Sequence, residues 1–496
     1  MTPPQALELT LFEKSSAGRR GVTTPVAEAD DAAIDRLLPL DSLRQAPAAL
    51  PEVSQLDAMR HYVRLSHLNH AIDTGFYPLG SCTMKYNPKV CDAIASLPGF
   101  TQLHPMTDAA LCQGTLEVMY RLQTLLADIT GFDAVSLQPA AGAQGELTGL
   151  LMIKAFLASR GQAQRTQVVI PDSAHGTNPA TAALCGFDVV EIKSGADGLV
   201  DLAALKAVLS ERTAALMLTN PNTLGLFERD ILEISRLTRE AGGLMYYDGA
   251  NLNAVMGQAK PAAMGFDVMH INTHKTFATP HGGGGPGCGP VACTQALAPF
   301  LPRPVATFDG ERYALDWRRP QSVGKVKAFY GNVEMMIRAA AYILAYGADG
   351  LAQVTRDAVL NANYLKARLG ALYDIPHAQR CKHEFVMTCR RQQSGDHPIR
   401  TMDIAKRMMD SGVHPMTVYF PLIVPDAMMI EPTETESRET LDRFVEVMTQ
   451  IDRECRETPD LVREAPHSAP IARVDEVEAA RRPTLAYFGC GADCNG

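Results

Sequence analysis

Lys275 is the residue from which the chemistry of this chain is best read. It follows an apolar run, Val268–Ile271, and the polar triplet Asn272, Thr273 and His274, and four consecutive glycines, Gly282–Gly285, come soon after. A lysine just past a buried strand sits at the sheet edge where open α/β folds bind ligands. Partly desolvated, such an amine becomes a nucleophile able to form a Schiff base with an aldehyde, above all that of pyridoxal 5'-phosphate (PLP). A lone lysine beside a glycine run is more often a surface residue. What counts against that plainer reading is the set of polar residues recurring at the ends of the preceding strands.

Asp248 closes the run Leu244–Gly249, one strand before Lys275. A buried carboxylate there can keep a pyridine nitrogen protonated and make the ring an electron sink. His175, in the loop after Val168–Pro171, can stack on a ring face, and Thr223 or Asn222 can hydrogen-bond a phenolic oxygen. The small-residue turn Ala140–Gln144, with Ala141, Gly142 and Ala143 at its centre, stands between the strand Ala134–Gln138 and a helix expected over Leu147–Ser159. Free amides and the helix dipole at such a turn favour a phosphate. It carries neither a dinucleotide fingerprint nor a Walker sequence. Each residue has a duller alternative: a helix cap for Asp248, a turn for Asn222, a satisfied loop histidine for His175. Together they supply every part of a PLP site.

The elements that must position them alternate strand and helix. Strands are expected at Val168–Pro171, Val189–Ile192, Ala215–Thr219, Leu244–Gly249 and Val268–Ile271, with helices at Gln113–Ile129, Leu202–Ser210 and Ile231–Glu240. That rhythm predicts an α/β fold with a mainly parallel, doubly wound sheet. A long helix over Asn332–Tyr346 leads into a smaller α+β C-terminal domain, with strands at Phe385–Cys389 and Val418–Val424 and a helix start at Thr433–Glu436. The expected division is an arm and active-site loop segment (1–100), a large α/β domain (101–305), a connecting helix region (306–355), the small domain (356–460) and a polar tail (461–496). Within the first segment, Phe76–Pro88 is a loop that carries aromatic residues; it either caps the core or walls the site.

Bulk properties narrow the class. Of the 496 residues 46% are hydrophobic and 20% charged, as in ordinary globular proteins. The net charge of -9 excludes the basic footprint of a nucleic-acid binder. No run is long enough to span a bilayer, and the first residues lack a secretory pattern. Eleven scattered cysteines suit reduced thiols in the cytoplasm. Cys490 and Cys494 form either a redox or metal pair or, with no second pair nearby, part of a loose tail; the second is the better reading, and no metal is expected.

The motifs Phe12-Glu-Lys-Ser, Tyr77–Pro88, Gln138–Glu146, Ala174–Pro179, His274-Lys-Thr-Phe and Met429–Ser437 together resemble the P-protein family of the glycine cleavage system. The similarity covers residues 10 to about 450 and is greater to the lysine-bearing half of the two-subunit form. It implies the fold type I architecture of PLP-dependent transferases, with Lys275 as the Schiff-base lysine, Asp248 as the pyridine partner and His175 as the stacking ring. The implied activity is decarboxylation of glycine with transfer of the aminomethyl group to the lipoyl group of the H-protein. The implied companion is glycine dehydrogenase subunit 1, in a heterotetramer of two dimers. His274, beside the lysine, is a candidate proton donor, and the Ser81-Cys82-Thr83 stretch a candidate wall of the substrate pocket. The alternatives are an aminotransferase or amino-acid lyase of the same fold, or a catalytically silent scaffold subunit, against which Lys275 argues.

Overall fold

The computed structural model describes residues 8–23, 39–44, 46, 48–281, 287–393, 398–483 and 485. The glycines Gly282–Gly285 and the cysteines Cys490 and Cys494 lie outside them. The chain divides into two compact units, Met1–Thr74 with Ala465–Gly496, and Gly75–Glu464. In the first, helix α1 (Gln55–Leu68) begins at Ser54, whose hydroxyl accepts the Asp57 amide. The Glu13–Gly21 arm is tied down there by the Gly18 amide, which donates to the Glu52 carboxylate (2.6 Å).

The second unit contains a seven-stranded sheet. Its strands are β1 (Ala134–Ser136), β2 (Gln167–Pro171), β3 (Asp188–Ile192), β4 (Thr213–Thr219), β5 (Leu244–Gly249), β6 (Val268–Ile271) and β7 (Val291–Cys293). The spatial order is β1-β7-β6-β5-β4-β2-β3. Neighbours from β6 to β3 are parallel, whereas β7 runs antiparallel to both β6 and β1. Strand alternation sends successive side chains to opposite faces. Val169, Leu216, Met245, Tyr247 and Met269 enter one core, while Val168, Ala215, Met217, Tyr246 and Val268 enter the other. Burial on both faces is why these strands are continuous apolar runs.

Helices cover the faces: α2 (Lys89–Ala95), α3 (Gln113–Thr130), α4 (Gly142–Ser159), α5 (Thr177–Leu184), α6 (Leu202–Val208) and α7 (Ile231–Glu240). α3 ends at Gly131, whose left-handed φ of 79° turns its amide back to the Ala127 carbonyl. α4 starts five residues earlier than the sequence suggests. The small residues Gly142–Glu146 form its first turn instead of a free loop, and no side chain caps it. Its glycines lie hard on the sheet: a Cβ at Gly149 would fall 2.5 Å from the Tyr246 ring, and one at Gly145 2.8 Å from the His270 Cβ.

A hairpin, β8 (Val305–Phe308) with β9 (Tyr313–Asp316), precedes helix α8 (Val333–Leu369). The expected Asn332–Tyr346 helix is the first part of α8, which breaks at Gly347 (φ 61°, ψ -177°) before continuing. Beyond it, β10 (Phe385–Thr388), α9 (Thr401–Met409), β11 (Thr417–Val418), β12 (Ala427–Ile430) and α10 (Arg438–Glu457) form a three-stranded antiparallel sheet with helices. Phe385, Met387, Met428 and Ile430 pack on α9 and α10 side chains, while Val386 and Met429 meet Leu224 and Leu226. Two expectations need correction. Val418–Val424 is strand only at Thr417–Val418, because Pro421 has no N–H for the ladder. The α10 cap is Ser437, not Thr433, and the carboxylate of Glu434 turns inward instead.

Candidate functional site

Asp248 ends β5, and in the adjacent register its partner is His270 of β6. β6 runs into Asn272 and a single helical turn, Thr273–Thr276, which presents Lys275. A cavity of about 270 Å³ opens at this strand-end edge. Lys275, Asp248, His175, Thr223 and the Ala141–Ala143 turn all contribute to its wall, as do Ser81 and His274. Among the described residues the Lys275 amine has no hydrogen-bond partner, so it stands free to react.

Not every expected residue reaches the cavity. Asn222 is consumed by its own turn: its Nδ2 donates to the Gly198 carbonyl (2.8 Å), and its Oδ1 accepts the Leu224 and Leu226 amides. It is a turn organiser; Thr223 does reach the wall, where its hydroxyl donates to the Ser173 carbonyl (2.5 Å). Cys82 offers its carbonyl to His281 Nε2 (3.1 Å), and the Thr83 amide points to Glu431 (3.0 Å); neither lines the cavity.

Asp248 is almost fully buried. Burial by itself would raise its pKa. The charge of His270, whose Nε2 is 3.2 Å away, more than reverses this, together with hydrogen bonds from Asn178 Nδ2 (2.9 Å) and the Ala250 amide (2.9 Å). The group is therefore held ionised, well below the usual carboxylate range. His270 is raised in turn: burial disfavours its cation, but Asp248 outweighs that, and Tyr246 lies against its Nδ1 (3.0 Å). Behind them Glu146 accepts from Thr177, Asn178 and Thr181, and is raised by burial and by Asp248. A fixed negative charge thus faces the cavity from a network of buried partners.

The N-terminus of α4, also at the wall, supplies uncapped amides. Gly142 is required there, since a Cβ would fall 2.3 Å from Asn272 Oδ1. Asn272 Oδ1 and Thr219 Oγ1 are buried at the wall without a partner. Orphaned polar atoms around a cavity are what a polar ligand would satisfy. His175 keeps its Nδ1 as acceptor for the Thr177 amide (3.2 Å), which leaves the proton on Nε2. The donor set therefore fits PLP: an amine, an ionised carboxylate, an imidazole, a hydroxyl and a helix N-terminus.

His274 is pushed down to about 3, by burial first and then by His281 and Lys275. A neutral imidazole is therefore favoured near pH 7, with a single N–H to offer as the proton donor expected from the sequence. The structure brings up charged groups as well. Lys85 is fully enclosed, its Nζ donating to Glu434 (2.9 Å), the Thr276 carbonyl (2.7 Å), Asn253 (3.0 Å) and Tyr342 (3.1 Å). It thus ties the Tyr77–Lys85 loop to the turn that carries Lys275. Glu384 and Glu431, also buried, hold the same loop through the Ser81 amide (2.8 Å) and Thr83. Ser81 and Thr83 have left-handed φ of 64° and 45°, a strain that these bonds maintain. Lys85, Glu431 and Glu434 fall within the sequence motifs, and His270 is a polar residue inside an apolar strand. Those are the signals by which they could have been found.

Comparison with known proteins agrees with this geometry. The family model "Glycine cleavage system P-protein" matches residues 31–312 and "Glycine dehydrogenase, C-terminal domain" matches 354–469. The chain is 55% identical over 477 residues to a probable glycine dehydrogenase (decarboxylating) subunit 2 of Caldanaerobacter subterraneus, covering 96% of this chain and 98% of that protein. It is 57% identical to the protein of that name from Exiguobacterium sibiricum, covering 96% of each. In fold it is similar to a crystal structure of glycine decarboxylase (P-protein) of the glycine cleavage system in inhibitor-bound form. The TM-score is 0.73 at 21% identity, over 87% of this chain and all of that one. A sphingosine-1-phosphate lyase of Burkholderia pseudomallei follows at TM-score 0.62 and 15% identity, over 84% of this chain and 94% of that one. With that likeness running almost end to end, the chain belongs to the glycine cleavage system P-protein family.

Proposed function

We propose that this chain is the lysine-bearing catalytic subunit of a two-subunit glycine dehydrogenase. It decarboxylates glycine and passes the aminomethyl group to the lipoyl disulfide of the H-protein, with PLP held at Lys275. The observation that carries the reading is the pairing of a free Lys275 amine with the ionised, buried Asp248 in one cavity. When bound, the cofactor supplies an electron sink for the pair left behind by CO2.

The chain's own groups set up that chemistry. Lys275 Nζ is the group that would hold the cofactor through its aldehyde carbon, at the place where the glycine amine is to react. Asp248, fixed by His270, Asn178 and the Ala250 amide, would hold a proton on the ring nitrogen. The α4 amides would hold the phosphate, Thr223 (its hydroxyl turned from the Ser173 carbonyl) the phenolic oxygen, and His175 the ring. Ser81 and the loop it belongs to wall off the substrate end. Among the described residues no arginine lines the cavity, so nothing there clamps the glycine carboxylate by a bidentate pair.

The designation of the relatives as subunit 2 supports a companion, subunit 1, in a heterotetramer of two dimers. The nine described cysteines are free thiols, which supports a reducing, cytoplasmic setting; no helix among the described residues is long and apolar enough to cross a membrane. The deciding experiment is borohydride reduction of the PLP-loaded protein, tryptic digestion and mass spectrometry. A pyridoxyl group on the peptide holding Lys275 is expected; its absence, or its presence on another lysine, overturns the proposal. Exchange of labelled bicarbonate into the glycine carboxyl, measured with subunit 1 and H-protein present, tests the reaction itself.

A further inference from the structure

Behind the loop that walls the cavity lies a second group of ionisable side chains, His383, Glu384 and Glu431, all fully buried. One ligating atom from each lies within 4.8 Å of the others. Glu384 Oε2 accepts the Ser81 amide (2.8 Å), and its Oε1 accepts Asn251 Nδ2 (3.3 Å). Glu431 accepts the amide and the hydroxyl of Thr83. The His383 Nε2 stands 3.8 Å from an oxygen of each glutamate, and neither ring nitrogen has a hydrogen-bond partner. Ser81 and Asn251 are themselves part of the cavity wall with Lys275. One layer of residues therefore separates these carboxyls from the reacting amine.

We propose that Glu384 and Glu431 share one proton and act together as the buried countercharge and proton store for Lys275. The inference deepens the function proposed above and rests on Lys275 being the cofactor lysine. Two carboxylates this close in a dry setting do not both ionise. Burial and the neighbouring Glu431 push Glu384 well up, and burial pushes Glu431 up to about 7; the Lys275 charge acts against both shifts. His383 is driven down to about 3 by burial and by Lys275, so it remains a neutral acceptor toward which the shared proton can turn. The pair then carries a single negative charge facing the Lys275 cation. When Lys275 reacts as a free amine its ammonium proton passes to the pair, turning one carboxylate into a carboxylic acid, and it returns when the nitrogen again becomes cationic. No atom or electron is left over. The remaining charges around the pair are Glu434, which is neutralised by Lys85, together with Cys82, raised by burial, and His281, lowered by burial.

Both glutamates act through Lys275 and are positioning residues, so the test reads the lysine and the proton directly. Infrared difference spectra of the holoenzyme at neutral pH, wild type minus Glu384→Gln and wild type minus Glu431→Gln, are expected to contain a carboxylic-acid C=O band in each case. Removal of either partner lets the other ionise. The pH midpoint of the PLP absorbance is expected to change little in each single variant, because one negative charge remains. In the double variant it is expected to fall by about one unit or more, the size of a lost neighbouring charge. Absence of the acid band overturns the proposal, as does a double variant with an unshifted midpoint or a single variant shifted as far as the double. Should the double variant not fold, the two single-variant spectra decide. Borohydride labelling of Lys275 on the same samples separates the two readings. A labelled lysine with no acid band removes the pair alone, whereas an unlabelled wild-type lysine removes the assignment of the cofactor.

Discussion

Lys85→Met tests whether the buried ion pair holds the active-site loop in place. The Lys85 ammonium has three N–H donors and four acceptors within 3.1 Å: Glu434, Thr276, Asn253 and Tyr342. Its side chain is wholly enclosed and that of Glu434 is 6% exposed. Methionine fills a similar volume but leaves the Glu434 carboxylate buried with no cation, supported by two long neutral bonds, from Asn253 Nδ2 (3.3 Å) and the Tyr342 hydroxyl (3.5 Å). Breaking a buried pair from one side costs about 3–5 kcal/mol, because a charge is stranded. Adding Glu434→Gln removes that charge, so the double variant is expected to recover on the order of 2 kcal/mol, within the range of contacting pairs. Urea unfolding provides the assay: the only tryptophan, Trp317, lies in the Gly75–Glu464 unit and reports its transition without interference. The same variant is expected to hold PLP less tightly, since Lys85 anchors the Thr276 carbonyl next to Lys275. A Lys85→Met protein within about 1 kcal/mol of wild type would refute the reasoning, given the range expected for a buried pair. So would a double variant that merely sums the two single losses.

Three further outcomes are expected. Asp248→Asn removes the charge that holds a proton on the cofactor ring, so glycine turnover is expected to fall roughly 10²–10⁴-fold while borohydride still labels Lys275; a loss smaller than about tenfold would contradict the role. Gly142→Ala places a methyl group 2.3 Å from Asn272 Oδ1, and overpacking of this kind costs about 1–3 kcal/mol; a weaker PLP dissociation constant is expected, and an unchanged one counts against the phosphate cradle. Glu431 has a folded pKa of about 7 against an ordinary value of 4.5, so between those values the folded protein binds more protons than the unfolded chain. Stability should therefore decline as pH rises across that window, and Glu431→Gln should flatten the decline; urea midpoints measured at both ends of the window that are as far apart in the variant as in wild type would exclude it.

The middle of the central sheet was legible because β2, β4, β5 and β6 are buried on both faces and appear as apolar runs. α7, ended before Gly242, was legible because its apolar spacing is helical. The start of α4 was not, because Gly142–Glu146 offers neither a capping side chain nor an apolar stripe. Thr433–Glu436 has the spacing of a helix start, but tertiary structure turns Glu434 toward Lys85 and leaves the cap to Ser437. Within the site, Lys275, Asp248 and His175 could be inferred from their places at strand ends. Lys85 and Glu431 were marked only by lying within motifs, with nothing to show their partners, and His383 and Glu384 were not marked at all. Charged residues are ordinarily exposed, and only the folded chain brings these four, from distant segments, into one dry interior.

Where Gly142, Gly145 and Gly149 meet the strands below them, missing methyl groups act as spacers of zero thickness. The depth at which α4 seats on β5 and β6 sets how far its first turn projects beyond the strand ends. The level of the anion cradle relative to the lysine is thereby built into the backbone itself. Enlarging the middle or far glycine would tilt the whole rod and lift its tip, so a substitution remote from the cavity would alter the grip on a ligand it never touches.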